Sequence, residues 1–154
     1  MALNETHDAS LTSWAASANA AGCDFTIQNL PFGAFRRKGV SSAARDATAN
    51  VARIGVAIGG QILDMQTALA SGVFEGAAKD AAALLQGSTL NDFMGAGAAA
   101  WSALRLALSR ALRSGSAAEA RLRGALVAQH DAEMTLPARI GDYTDFFTDR
   151  KSVV

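Results

Sequence analysis

The chain has 154 residues, a formal net charge of zero, 50% hydrophobic residues and 18% charged ones. That length fits about one domain, the apolar fraction excludes a fully disordered chain, and the absence of net positive charge gives no support to nucleic-acid binding. Much of the apolar total is alanine, which buries little surface, so the expected core is thin for the length.

In chain order, Met1 to Gly22 is polar and alanine-rich. Leu11, Trp14 and Ala18 fall on one face of a predicted short helix, with Trp14 packing on a neighbouring segment rather than binding a ligand. The N-terminus has neither a basic start nor a continuous apolar run, so it does not read as a secretory signal. Cys23 is the sole cysteine and forms no internal disulfide, which fits a reducing cytoplasm; a small buried thiol is its expected state. Phe25 and Ile27 alternate with polar residues as in a strand, which Pro31 and Gly33 then break. Arg36, Arg37 and Lys38 form the one dense basic run and read as a solvated turn. They open a surface loop or short helix predicted as far as Asn50.

The strongest local pattern is Arg53 to Met65. Ile54, Val56 and Ile58 alternate with Gly55 and Ala57, Gly59-Gly60 follows, and Gln61, Ile62 and Leu63 resume. Two apolar runs around Gly-Gly predict a hairpin with a type I′ turn. Asp64 is placed to cap the helix that begins at Met65, by accepting the unpaired amide hydrogens of its first turn. Helical pieces interrupted near Gly72 and Gly76 are expected as far as Leu85.

Gly87, Ser88 and Thr89 form a break, with Thr89 as N-cap and Asp92 completing a capping box. A long helix is predicted from Leu90 to Arg113, because Phe93, Gly97, Trp101, Leu104, Leu108 and Leu112 recur at three- and four-residue steps. Gly95 and Gly97 cost that helix about 1 kcal/mol each against alanine. Arg110 and Arg113 suit its last turn, and Gly115 its end. Phe93 to Leu104 is the longest nearly uncharged stretch and is too short to span a bilayer. A second helix is predicted from Ala117 to Gln129, with Arg121 and Arg123 on its wet face. His130 then serves as a C-terminal cap or an exposed side chain, and His7 is not a ligand either. Pro137 ends this region, and Ile140 to Phe147 reads as turn and strand. There is no Gly-rich phosphate loop, paired Cys/His metal spacing or nucleophile elbow.

Four blocks carry a resemblance to a known family, in that family's order. They are Phe25-Thr-Ile-Gln-Asn-Leu-Pro-Phe-Gly-Ala-Phe35, Arg53-Ile-Gly-Val-Ala-Ile-Gly-Gly-Gln-Ile-Leu-Asp64, Thr89-Leu-Asn-Asp-Phe-Met-Gly-Ala-Gly-Ala-Ala-Ala-Trp101 and Leu136-Pro-Ala-Arg-Ile-Gly-Asp-Tyr-Thr-Asp-Phe146. Together they resemble fumarylacetoacetase. The resemblance implies an α+β chain: a small SH3-like β-barrel with added helices, then the first strand of a β-rich catalytic domain. The implied divisions are an N-terminal extension over 1–23, the family's N-terminal domain over 24–136 and the start of the catalytic domain over 137–148.

The resemblance also implies chemistry. Enzymes of the family hydrolyse a carbon–carbon bond of 4-fumarylacetoacetate to fumarate and acetoacetate, in tyrosine and phenylalanine breakdown, with a bound Ca²⁺ or Mg²⁺. A hard cation on the diketone oxygens offsets the enolate charge, and hard cations take carboxylate oxygens. Asp145 matches the family's first metal ligand; by the strand period it shares a face with Tyr143 and Phe147. Phe147 stands where the family has a substrate-contacting tyrosine, and keeps the ring without the hydroxyl. The catalytic histidine and remaining carboxylates are expected further on than Val154, so no catalytic residue is assigned.

Residues Asp149-Arg-Lys-Ser-Val-Val154 back-translate to a common sequencing-adapter strand and are expected to be read-through. The expectation is therefore a fumarylacetoacetase fragment, inactive by itself. The intact enzyme is expected to be a cytoplasmic homodimer acting on a small-molecule substrate, with no nucleic-acid or membrane partner. The alternative is a non-catalytic assembly or regulatory module of a larger protein.

Overall fold

The computed structural model describes residues 4–39 and 51–142. Its frame is a five-stranded antiparallel sheet in the order β4-β3-β2-β1-β5. The strands are β1 (Phe32–Arg37), β2 (Arg53–Ile58), β3 (Gln61–Asp64), β4 (Leu126–Ala128) and β5 (Ala132–Thr135). The helices are α1 (Met65–Ala70), α2 (Gly76–Ala83), α3 (Asn91–Gly95), α4 (Ala98–Leu112) and α5 (Glu119–Leu122). The α+β class expected from the sequence is what the chain adopts.

The β2–β3 hairpin forms as expected, with Val56 opposite Leu63 and Ile58 opposite Gln61. Its turn differs in one respect. Only Gly59 has positive φ (57°), the pattern of a type II′ rather than a type I′ turn. A side chain at Gly59 would also run into Ser17 and the backbone of Ala18, so glycine is required by packing as well as by φ.

The two outer strands of the sheet are neighbours in sequence, and this forces curvature. β4 and β5 are separated only by the 3-10 turn Gln129–Asp131, yet they lie at opposite edges. Four inter-strand gaps in a flat sheet would span ~19 Å, whereas a tight three-residue turn bridges only ~8 Å. The sheet therefore curls into a half-barrel that brings its edges together. Gln129 fastens the turn to the hairpin: its backbone N–H donates to Gly60 O (3.0 Å) and its Nε2 to Gly59 O (2.9 Å). On the other side Lys38 N donates to Asp131 O (2.7 Å).

The two faces of the sheet carry separate cores. The convex face presents Ala34, Ile54, Val56, Ile58 and Leu63 to Met65 and Ala68 of α1, Ala81 and Ala82 of α2, and Leu104, Leu108 and Leu112 of α4. The concave face holds a smaller cluster: Phe35, Ile62, Val127 and Ala132. Ten of the 27 buried apolar residues among those described are alanines, which bears out the thin core.

Several local expectations are corrected. No single helix carries Leu11, Trp14 and Ala18; two 3-10 turns, Glu5–His7 and Ala16–Asn19, flank an irregular stretch with one bridge, Ser13 to Arg113. That stretch lies against the C-terminal end of α4, where Trp14 Nε1 donates to Ala111 O (2.9 Å) and Ser13 Oγ to Leu112 O (2.7 Å). Tertiary hydrogen bonds here replace those of a helix. The predicted strand at Phe25 and Ile27 is instead a pair of turns, and the strand begins beyond Pro31. Asn29 N donates to Thr26 O (2.9 Å) and Gly59 N to Phe25 O (2.7 Å), so this backbone is satisfied without a ladder. Arg36 and Arg37 accordingly belong to β1, not to a turn.

Thr89 does not cap a helix: α3 starts at Asn91 with no side-chain cap. The predicted long helix is two, divided at Gly97, whose φ of 83° no helix accepts. The split lets Phe93 turn in against Phe32, ring centroids 5.1 Å apart. The second predicted helix survives only as α5 and a 3-10 turn, and its remainder becomes β4. β5 had no counterpart in the sequence reading. Cys23 is half-buried rather than buried. His130 is exposed, as expected, 3.4 Å from Asp131.

Candidate functional site

The curled sheet creates a trough whose two ends differ. Cα-paired residues share a face. Thus Gly33 opposite Gly55, Phe35 opposite both Arg53 and Met134, Asp64 opposite Gly55, and Arg37 opposite Ala132 all line the concave side. The Phe35, Ile62, Val127 and Ala132 cluster fills its middle.

One end is charged. Asp64 is fully buried, and its Oδ1 accepts from Gln66 N (3.1 Å) and Thr67 N (3.4 Å), so it caps α1 as expected. Its Oδ2 accepts from Arg53 Nη1 at 3.0 Å and lies 3.6 Å from Arg37 Nη2. One carboxylate thus closes a helix and ties two strands, an arrangement that holds the trough rather than reacts. Within the hairpin, the period-two alternation already puts Arg53 and Asp64 on one face. Arg37 has no such local cue, because β1 was not expected to run through it.

The other end is an apolar cavity of about 340 Å³ lined by Phe25, Pro31, Phe35, Ala57 and Met134, with Gln129 as a polar group at its wall. It stays open because Gly33 and Gly55 face each other across β1 and β2. A Cβ on Gly55 would collide with Ile62 and Phe35, and one on Gly33 would press on Met134 Cε at 2.9 Å.

A second apolar hollow, of about 290 Å³, lies where α3 and α4 meet β1, between Phe32, Leu90, Phe93, Met94 and Trp101. Trp101 Nε1 donates to Phe93 O (2.6 Å), which fixes the indole across the Gly97 break. Arg105 is turned inward onto Gln28 O and Thr6 Oγ1.

Among the described residues no three His, Cys, Asp or Glu side chains come together in a way that could hold a metal ion. The described residues therefore do not fit a divalent cation. The clearest shifts in acidity belong to Glu5 and Asp8 at the surface. Arg110 beside Glu5, seconded by Arg113, holds its carboxyl below the usual carboxylate range, and hydrogen bonds from Ser10 do the same for Asp8. Both are structural pairings. The sequence-predicted site residues Asp145 and Phe147, with Tyr143 beside them, lie outside the described residues. No helix among the described residues is long and apolar enough to cross a membrane.

Comparison with known proteins supplies what the site does not. Residues 28–137 match the family model described as Fumarylacetoacetase N-terminal. The chain belongs to the fumarylacetoacetase N-terminal family. Among similar proteins, the fumarylacetoacetase of Mus musculus is 42% identical over 136 residues, covering 83% of this chain and 29% of its own length. That of Homo sapiens is 41% identical over 137 residues, with the same two shares. That of Caenorhabditis elegans is 44% identical over 130 residues, covering 81% of this chain and 28% of its own length. The chain thus spans under a third of the length of these relatives. The hairpin, the Asp64 cap and the α3–α4 pair all fall within the matched family segment.

Proposed function

We propose that this chain is the N-terminal, non-catalytic part of a fumarylacetoacetase, an enzyme that hydrolyses the carbon–carbon bond of 4-fumarylacetoacetate to fumarate and acetoacetate. The observation that carries the reading is the family match over 28–137, joined to relatives of whose length the shared segment covers under a third. The half-barrel is read as the family's SH3-like barrel, over 24–136. The N-terminal extension is read as 1–23 and the start of the catalytic domain as 137–148. The last six residues, Asp149 to Val154, are read as adapter read-through.

In this reading the described residues provide scaffold. Asp64 with Arg37 and Arg53, and the Gly33–Gly55 pair, set the shape of the trough. Asp145 is the first of a set of carboxylates that would hold a Ca²⁺ or Mg²⁺ ion, the others lying in the longer enzyme. Phe147 would contribute a ring, without a hydroxyl, to the substrate pocket. The intact enzyme is read as a cytoplasmic homodimer.

The test is direct. The purified 154-residue chain should not hydrolyse fumarylacetoacetate in the presence of Ca²⁺ or Mg²⁺. Residues 1–142 joined to the remainder of the Mus musculus fumarylacetoacetase should. Hydrolysis by the 154-residue chain that is lost in Asp145→Ala would overturn the non-catalytic reading. A folded, inactive chimera would overturn the assignment to this enzyme.

A further inference from the structure

We infer that the apolar face around Met94 and Trp101 is the docking surface for the catalytic part of the same polypeptide. The inference rests on the reading above, that a longer chain follows this one. Large apolar side chains stand in water here: Met94 is 57% exposed, Trp101 40%, Leu136 75% and Ile140 72%. Met94 and Trp101 share one hollow with Leu90, whose backbone N–H donates to Pro137 O (2.7 Å) in the outgoing segment that carries Leu136 and Ile140. Two further bonds fasten that segment to the start of α3: Arg139 N donates to Asn91 Oδ1 (2.8 Å), and Asn91 Nδ2 to Arg139 O (3.0 Å).

Those three bonds decide which occupant fits. They hold Pro137 and Arg139 against the start of α3, so a continuation of the polypeptide is tethered beside this face. Attachment through so short a tether gives the continuation an effective concentration that a separate molecule would need millimolar levels to match. The face itself suits a permanent intramolecular interface. Its anchors are a tryptophan and a methionine, side chains enriched in buried interface centres. The indole is already immobilised by its bond to Phe93 O, so little rotamer freedom remains to be lost on docking. The one charged side chain lining the hollow, Arg105, is already engaged with Gln28 and Thr6, so an apolar partner strands no free cation.

Methionine oxidation reads the burial directly. Peroxide should oxidise Met94 readily in the 154-residue chain, while Met65, which is fully buried, resists. In the chimera of residues 1–142 with the remainder of the Mus musculus enzyme, Met94 should react more slowly by about fivefold or more, with Met65 still protected as the marker of folding. An unchanged Met94 rate in a folded chimera overturns the inference. So does protection that appears only as the chimera dimerises and is lost in a monomeric variant, because the face then belongs to a second copy. An active chimera with Met94 unprotected sinks this inference alone; a protected but inactive one sinks only the assigned activity. Should the chimera not fold, the 154-residue chain still decides. Met94→Glu with Leu136→Glu, both largely exposed, should lower the fluorescence of bound anilinonaphthalene sulfonate by about half or more while the urea midpoint holds, since the dye reports exposed apolar surface. Undiminished fluorescence overturns the inference.

Discussion

The two faces of the sheet are filled by different means. The convex face is covered by three helices that arrive from separate parts of the chain, and its cluster runs unbroken from Ala15 to Ala125. The concave face is filled by the sheet's own curl, with four side chains in contact and an open apolar cavity beside them. A face covered by helices has no room to relax when a side chain is cut back. A face that opens onto a cavity admits water or shifts its neighbours, so equal truncations should cost unequal amounts.

The largest expected effect tests the convex side. Leu104→Ala removes a fully buried side chain on the inner face of α4, away from either hollow, and should lower unfolding free energy by about 4 kcal/mol in urea. Next comes the charged end of the trough. Asp64→Ala removes the α1 cap and the partner of Arg53 and Arg37, for a loss of about 3 kcal/mol. Asp64→Asn should recover about half of that loss, because the amide oxygen still caps. If Asn is as damaging as Ala, the ion pairs and not the cap dominate. On the concave side Ile62→Ala should cost about 2 kcal/mol, near the low end for such a change. A loss equal to that of Leu104→Ala would erase the proposed contrast between the faces.

The smallest effect lies at the surface, where Glu5 holds the N-terminal segment to α4 through Arg110 and Arg113. Its pKa is lower in the folded state than in the unfolded chain, so its contribution is present above the unfolded pKa and is lost as pH falls through the folded one. Glu5→Gln should therefore lower the melting temperature slightly at neutral pH and flatten its decline under acid. Melting curves of both proteins from about pH 7 to about pH 3 cover that window. Parallel curves would mean that the pairing contributes nothing.

The candidate site was legible in the sequence through family resemblance and little else. Asp145 and Phe147 acquire roles only beside residues that the matched segment does not contain, and a single aspartate is no cation site by itself. The apolar face at Met94 and Trp101 was concealed by its own periodicity. Trp101 sits at helical spacing with Leu104 and Leu108 on α4, yet it is exposed where they are fully buried.

What the sequence determined by itself is local: the hairpin at Gly59-Gly60, the Asp64 cap and the interruptions at Gly72 and Gly76. Each is decided by backbone sterics or hydrogen bonds within a few residues, where no distant partner competes. The tertiary structure alone decided residues 126–135. Leu126, Ala128, Ala132, Glu133 and Met134 are good helix formers, yet these residues become the strands that pair with β3 and β1. Otherwise those two strands would leave the hydrogen-bonding groups along the sheet's edges unpaired. Satisfying two ladders outweighs a few tenths of a kcal/mol per residue of helical preference. The same choice brings the edges together, closes the trough and directs the chain out beside α3.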